Sequence, residues 1–300
     1  MASNTNVSKT KFTLNNGTEM PAIGLGTFRI KTENAIMSTV DSALAAGYRL
    51  FDTAAVYGNE FYLKNAFRTL LPKYGLRRED IFVTTKLSPS NHGNRDVTER
   101  AYRKSLQNLG LDYVDLYLIH FPGTANTAAD DILNVKIRDQ TWAGLASLYD
   151  EGLIKAIGVS NFTVRHLQQV ISATHGVVPA VNQVEWHPYY FQHDLMEYCK
   201  RNGIVLQAYC SFGGTSSSNM NLMQDPVVNS IAKKFDVTCA QVLLKWALQQ
   251  GVAVIPKSTD PQRIKENISL NFTIPNGDII ALNALGERNI KYAWDPSVVA

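Results

Sequence analysis

Three cysteines, Cys199, Cys210 and Cys239, are all that the 300 residues contain. So sparse and odd a set, in apolar or helical contexts and without zinc-ligand spacing, excludes a disulfide scaffold and points to free thiols in a reducing compartment. No apolar run approaches the roughly 18 residues of a membrane span. The start, MASNTNVSKT, lacks the apolar core of a secretory signal, so a cytoplasmic protein is expected. Strong charge is missing as well. With 29 Lys and Arg against 26 Asp and Glu, the net charge is +3 and evenly spread, which argues against nucleic-acid or membrane-surface partners. The six histidines form no H-x-x-x-H pair, so no metal is expected. There is no G-x-G-x-x-G and no Walker pattern; Gly24-Leu25-Gly26 is too short to count, which weakens an open doubly wound sheet.

What is present is a rhythm. The segment KFTLNNGTEM alternates around NNG and reads as a β-hairpin with left-handed turn residues. Eight short apolar runs follow: AIGLGTF, YRLFDTA, IFVTTKL, YVDLYLIH, IKAIGVSNF, AVNQVEWH, IVLQAYC and VAVIPKS. They read as buried parallel strands. Helical patterns fill the gaps. Ala35, Ile36, Val40, Ala43 and Leu44 share a face closed by Gly47. Asp96 to Glu99 resembles a capping box for a helix ending at Gly110. Thr163 opens a third helix, Thr238 with Gln241 a fourth, and Asp260-Pro261 a fifth, with Pro at the first helical position. The natural closure is an α/β fold, a (β/α)8 TIM barrel in one domain over 1–300 with an N-terminal β-hairpin and loops at the C-terminal face. Residues 1–9 are expected to be flexible. Two stretches, after the fourth and seventh strands, are longer and sit where such loops build a site.

The ends of the strands carry chemistry. In order they present Asp52, with Tyr57 five residues on, then Lys86, His120, Ser160-Asn161, Gln183, Tyr209 and Lys257-Ser258. Each has an ordinary explanation alone: Asp52 as a turn former, Lys86 as a solvated charge, His120 as a satisfied core histidine, Gln183 as interior filler. Together those explanations weaken, because an apolar barrel does not aim an acid, a base, an imidazole and amides at one mouth without partners.

The motifs GLGTF, FDTAAVYGNE, VTTKL, LIHFP, IKAIGVSNF, NQVEWHPY and IPKSTDPQRIKEN, in this order over nearly the whole chain, resemble the aldo-keto reductase family. The resemblance implies NADPH/NADP+ as cofactor, a small-molecule carbonyl as substrate and a monomer of the aldehyde reductase (alcohol dehydrogenase (NADP+)) type. It places a catalytic tetrad on Asp52, Tyr57, Lys86 and His120. Contacts to the nicotinamide amide fall on Ser160, Asn161 and Gln183, and ring stacking on Tyr209. Thr27 and Ser211 join the cofactor set, and the adenosine-phosphate site falls on Lys257, Ser258, Arg263, Glu266 and Asn267. Phe28, Phe121 and Trp186 become walls of the substrate pocket. Where many relatives follow the stacking tyrosine with Ser-Pro-Leu-Gly, this chain has Cys210-Ser211-Phe212-Gly213, and Phe28 and Phe121 stand where tryptophan is common.

Physical chemistry supports the same roles. Reducing a carbonyl by hydride transfer builds charge on oxygen, so a proton donor is needed there. An ammonium beside Tyr57 is expected to make the phenol a better acid, Asp52 to keep that ammonium charged, and His120 to orient the carbonyl. The helix after Asp260-Pro261 offers free N–H groups at its start, with Lys257 and Arg263 beside it for a ribose 2′-phosphate. Beside relatives, the Ser/Asn-rich loop after the seventh strand and the tail after Trp294 are short, which suggests an open pocket and breadth toward small aldehydes and dicarbonyls. Two other functions share the fold: a non-catalytic NADPH-binding protein, and a Schiff-base aldolase using Lys86, which Asp52 disfavours by keeping the lysine protonated. Cys210 reads as an inert buried thiol rather than a redox-sensitive one.

Overall fold

The structure, a computed structural model, describes residues 7–173, 176–214 and 222–300. Part of the expected long loop after the seventh barrel strand, 215–221, therefore lies outside the described residues, as do 1–6. Val7–Lys9 form a 3-10 turn with Val7 buried.

The chain opens with the expected hairpin, β1 (Lys11–Thr13) and β2 (Glu19–Pro21), paired antiparallel. Its turn bonds Leu14 N–H to the Thr18 carbonyl, and Gly17 takes φ of +83°, a conformation glycine adopts without strain. Then strands and helices alternate: β3 (Leu25–Gly26), α1 (Glu33–Ala46), β4 (Leu50–Asp52), α2 (Glu60–Lys73), β5 (Phe82–Leu87), α3 (Arg95–Leu109), β6 (Leu116–Ile119) and α4 (Leu133–Asp150). They continue through β7 (Ile157–Ser160), α5 (Val164–Ser172), β8 (Val181–Glu185), α6 (His193–Arg201), β9 (Val205–Tyr209), α7 (Pro226–Phe235), α8 (Cys239–Gln249), β10 (Ala253–Val254), α9 (Pro261–Ile268) and α10 (Asn276–Ala284).

Strands β3 to β10 form one parallel sheet in sequence order. It closes on itself: Ile23 bridges Val254, Gly24 N–H donates to the Val254 carbonyl at 2.9 Å, and Gly26 N–H donates to the Pro256 carbonyl at 3.1 Å. The fold is thus the expected (β/α)8 barrel. Both seam strands are only two residues long, and Pro256, with no N–H to give, ends the ladder on one side.

Caps fall largely where the sequence places them. Gly47 closes α1 in the left-handed region, Thr163 and Thr238 cap α5 and α8, and Asp260 caps α9. One expectation is corrected. The N-cap of α3 is Asn94, whose side chain accepts from Val97 N–H, so the helix starts at Arg95 and Asp96 lies inside its first turn. Asn is as good a cap as Asp, and this one sits where the chain is still extended.

Two apolar layers result. Outward strand residues and the helices share one core that includes Val83, Tyr117, Ile119, Val159, Val184 and Trp186. Inward residues Leu50, Phe82, Leu116, Leu118, Ala156, Val181, Ala253 and Ile255 fill the barrel, with Leu14 and Met20 of the hairpin among them. The hairpin plugs the N-terminal end: Asn15 donates to the Val178 and Pro179 carbonyls and Asn16 to Lys155, just before β8 and β7. The charged inward residues Asp52, Lys86 and Glu185 lie toward the other end.

Candidate active site

Side chains along a strand alternate faces, so residues two apart share one. Above inward Leu50 comes Asp52, above Phe82 and Thr84 comes Lys86, and above Leu116 and Leu118 comes His120. Beyond Ala156 and Gly158 stands Ser160, and beyond Val181 stand Gln183 and Glu185. The barrel's apolar filling therefore ends in a polar layer at the C-terminal mouth. Lys86 is fully buried and donates to Asp52 Oδ1 at 2.6 Å and to the Thr53 carbonyl at 2.8 Å. Gln183 Nε2 donates to the other Asp52 oxygen at 2.7 Å and to Gln207 Oε1 at 2.7 Å. Burial pushes the Lys86 ammonium down and the Asp52 carboxyl up, and their contact opposes both shifts. The pair holds because each partner supplies what the other lacks.

Tyr57 reaches this pair from a 3-10 turn, Ala55–Tyr57, closed by Gly58 at φ of +67°. Buried Asn59 fixes the turn, accepting from Thr53 Oγ1 at 2.7 Å and donating to the Thr27 and Ile30 carbonyls. The phenol oxygen lies 3.5 Å from Lys86 Nζ, and the ring sits 5.0 Å from Phe28 and 5.6 Å from the His120 imidazole. Burial, with the Asp52 carboxylate and the Cys210 sulfur adding to it, holds the phenol well above its ordinary value. This corrects the expectation of a net acidified phenol. The Lys86 ammonium lies within 3.5 Å, yet the direction set by burial keeps the Tyr57 hydroxyl protonated. Burial and the Lys86 charge bring His120 down to about 3, so its imidazole is neutral. Its Nδ1 is buried without a partner among the described residues.

The amides beside them are interlocked. Asn161, at φ of +65°, donates to the His120 carbonyl at 2.9 Å and to Ser160 Oγ at 3.1 Å, and accepts from Tyr209 Oη at 2.5 Å. Ser160 Oγ donates to the Gln183 carbonyl at 2.8 Å. Each N–H of the Asn161 and Gln183 amides is engaged inside the protein, and their oxygens keep acceptor capacity for an outside donor. Thr27 is fully buried and its hydroxyl donates to the Asp52 carbonyl at 2.8 Å, joining β3 to β4. Ser211 Oγ is buried with no partner among the described residues.

At the start of α9, Lys257 and Arg263 are exposed, Ser258 and Glu266 half-buried and Asn267 buried. The helix start is less open than expected. Asp260 Oδ1 already accepts the Arg263 N–H at 2.9 Å, and Asp260 N–H donates to Ser258 Oγ at 3.1 Å. Attraction for an anion there rests on the two side-chain cations more than on the helix end.

Among the expected pocket walls, Phe28 is 37% exposed beside Tyr57, and Phe121 is half-buried after His120. Trp186 is corrected. It is fully buried and stacks on Trp246 at 6.0 Å and against Phe191 at 5.3 Å, in the helix layer outside the barrel. It follows inward Glu185, so alternation turns it away from the mouth. Sequence reasoning missed Trp294, whose indole meets Phe28 edge-on at 6.5 Å, and Arg29, in the left-handed region with its guanidinium 5.2 Å from the Phe28 ring centre. It also missed Glu185, whose parity with Gln183 was the available signal. Cys210 is half-buried, and desolvation pushes its thiol up to about 12, away from the thiolate.

A family model described as the Aldo/keto reductase family matches residues 22–287. The glycerol 2-dehydrogenase (NADP(+)) of Saccharomyces cerevisiae is 39% identical over 306 residues, covering 94% of this chain and 94% of that one. The glyoxal reductase of Bacillus subtilis is 40% identical over 275 residues, covering 91% and 92%. Among solved structures, a Bombyx mori aldo-keto reductase in complex with NADP superposes with a TM-score of 0.84 at 34% identity, covering 92% of each chain.

Proposed function

The chain belongs to the aldo/keto reductase family, and we propose that it reduces aldehydes and ketones to alcohols with NADPH, using Tyr57 as proton donor. The observation that carries this is the buried Lys86 ammonium held by Asp52 at 2.6 Å and facing the Tyr57 hydroxyl at 3.5 Å, with a neutral imidazole 5.6 Å from the Tyr57 ring. The residues present fit the dinucleotide. Ser211 Oγ is an orphaned buried polar atom in the loop after β9, the Asn161 and Gln183 oxygens can accept the N–H groups of a carboxamide, and Tyr209 offers a ring. Lys257 and Arg263 supply two cations for a phosphate, which favours NADPH over NADH. The NADP in the names of the yeast relative and the Bombyx complex supports the same choice.

NADPH, when bound, supplies a hydride to the carbonyl carbon. The carbonyl oxygen then becomes an alkoxide, a far stronger base than a phenolate. Tyr57, protonated because burial holds its hydroxyl high, delivers the proton downhill. Lys86 stabilises the phenolate left behind, and Asp52 keeps the lysine pointed at it. His120, uncharged, donates a hydrogen bond to the same oxygen from one ring nitrogen. The substrates proposed are small aldehydes and dicarbonyls, in line with the glyoxal reductase name of one relative. A monomer in the cytoplasm is the accompanying reading.

The test is NADPH oxidation with methylglyoxal and 4-nitrobenzaldehyde. Tyr57→Phe should retain NADPH binding and lose turnover by about 10²–10⁴-fold, the scale of a positioned acid. Tight NADPH binding by the unaltered protein without turnover on a carbonyl panel would favour a binding role instead.

A further inference from the structure

Glu185 is a buried carboxylate on the inner face of β8, one pleat beyond Gln183 and in register with Tyr209. The tetrad does not touch it. Its partners lie in the last turn of chain: Lys291 Nζ donates to Oε2 at 2.7 Å, Tyr292 N–H to Oε1 at 2.6 Å and Ala293 N–H to Oε2 at 3.0 Å. His187 Nε2 stands 2.9 Å from Oε1. Although burial opposes ionisation, these donors hold the carboxyl down at about 2. Backbone N–H groups and an ammonium converging on one desolvated carboxylate form strong, charge-assisted bonds.

The segment so held leads to Trp294, whose ring meets Phe28 beside Tyr57. Its far end has a second anchorage: Arg138 donates to the Ala300 carbonyl at 2.8 Å, Arg165 donates to the Val299 carbonyl, and His166 Nε2 stands 3.0 Å from the latter. Between the anchors lies Trp294, 60% exposed, and its ring closes the row Tyr57–Phe28–Trp294. With most of the indole exposed, its place against Phe28 depends in part on how its tethered neighbours run.

We propose that Glu185 is a positioning residue: its carboxylate tethers Lys291–Ala293 to the barrel and so fixes the Trp294 indole against Phe28 beside the Tyr57 hydroxyl. The tether is a structural statement, and its effect on turnover rests on the reductase reading above. With the tether weakened, the strap between its anchors samples more conformations. Bulky aromatic carbonyls that lean on the Phe28–Trp294 wall lose affinity, while small dicarbonyls that need only the tetrad are reduced as before.

Tryptophan fluorescence isolates this motion, because Trp142, Trp186 and Trp246 are fully buried and Trp294 is not. Acrylamide quenching of the full chain, without dinucleotide, should rise about twofold in Lys291→Met, as expected for a locally loosened segment. Lys291→Arg should restore it, and the rise should vanish in a Trp294→Phe background. Glu185→Gln, which keeps an amide oxygen for the backbone donors and loses the charge, should behave like Lys291→Met. In the same variants KM for 4-nitrobenzaldehyde should rise about tenfold, with kcat for methylglyoxal within about twofold. Unchanged quenching in variants of native circular dichroism overturns the tether. Raised quenching with unchanged KM for both substrates overturns the positioning role. Absence of turnover in the unaltered protein would defeat the reductase reading alone, and quenching would still decide the tether.

Discussion

Replacing Lys86 with methionine should destabilise the protein by about 3–4 kcal/mol at pH 7, and by much less at pH 5. The reasoning starts from geometry. Asp52 is 3% exposed in its side chain and Lys86 lies 2.6 Å away; among the described residues its other side-chain partner is the Gln183 amide at 2.7 Å. Without the ammonium, the carboxylate has two options. It can stay charged and unpaired, at roughly 3–5 kcal/mol. Or it can take a proton, at about 1.4 kcal/mol for each pH unit above an unfolded pKa near 3.9. That is roughly 4 kcal/mol at pH 7 and roughly 1.5 at pH 5. The cheaper option sets the loss, so the penalty must shrink on acidification. Burial already raises the Asp52 carboxyl, which makes protonation the expected response. Urea unfolding of the unaltered and variant proteins at both pH values measures the difference directly. Asp52→Asn combined with Lys86→Met should come back to within about 1 kcal/mol of the unaltered protein, since no buried charge is then left alone. A loss independent of pH, or additive penalties in the double variant, would refute the account and make Lys86 a packing residue.

Two further outcomes follow from the same coordinates. The profile of kcat/KM for reduction reports the free enzyme's essential groups, and neither Tyr57 nor His120 should titrate between about pH 5 and 9. Tyr57, held well above its ordinary value, keeps its proton throughout, and His120, lowered to about 3, stays neutral. A loss of rate on the acid side with a midpoint near 7 would contradict the His120 direction, whereas a loss on the basic side is the mark of the Lys86 ammonium, which burial pushes down. Lys257→Ala and Arg263→Ala should each weaken NADPH by roughly 10–100-fold, the worth of a hydrogen bond to a charged group, and leave NADH nearly unaffected. Calorimetric titration of both dinucleotides checks this, and equal losses for the two would remove the 2′-phosphate from that helix start.

Much of the barrel was legible because its two signals are periodic. Apolar runs such as YVDLYLIH can only be buried on both faces, and Gly47, Thr163 and Thr238 mark helix ends by local chemistry that tertiary structure has no reason to override. The cluster of Asp52, Lys86 and His120 was legible for a related reason: an acid, an ammonium and an imidazole each stand at or just past the end of an apolar strand. The start of α3 was not, because Asn94 and Asp96 are equally good caps and only the path of the preceding loop chooses between them. Equally hidden was the strap. Lys291 to Trp294 lies more than a hundred residues from Glu185, and nothing local in either segment announces the other.

Trp186 and Tyr57 show two different reasons for the remaining errors. For Trp186 the information was in the chain and was misread. Gln183 faces inward, so Glu185 does as well and Trp186 cannot, which would have exchanged a wrong pocket wall for the carboxylate that anchors the strap. For Tyr57 the information was absent. Its neighbours could be named from the motif, but the sign of its pKa shift depends on whether desolvation or the Lys86 ammonium wins at 3.5 Å, and that balance belongs to the packed barrel. Burial wins, and the phenol remains fit for the task because what a proton donor at neutral pH requires first is to hold its proton until a stronger base arrives. In the proposed reaction the ammonium acts afterwards, on the phenolate, which is where a cation 3.5 Å away in a water-poor site has its largest effect.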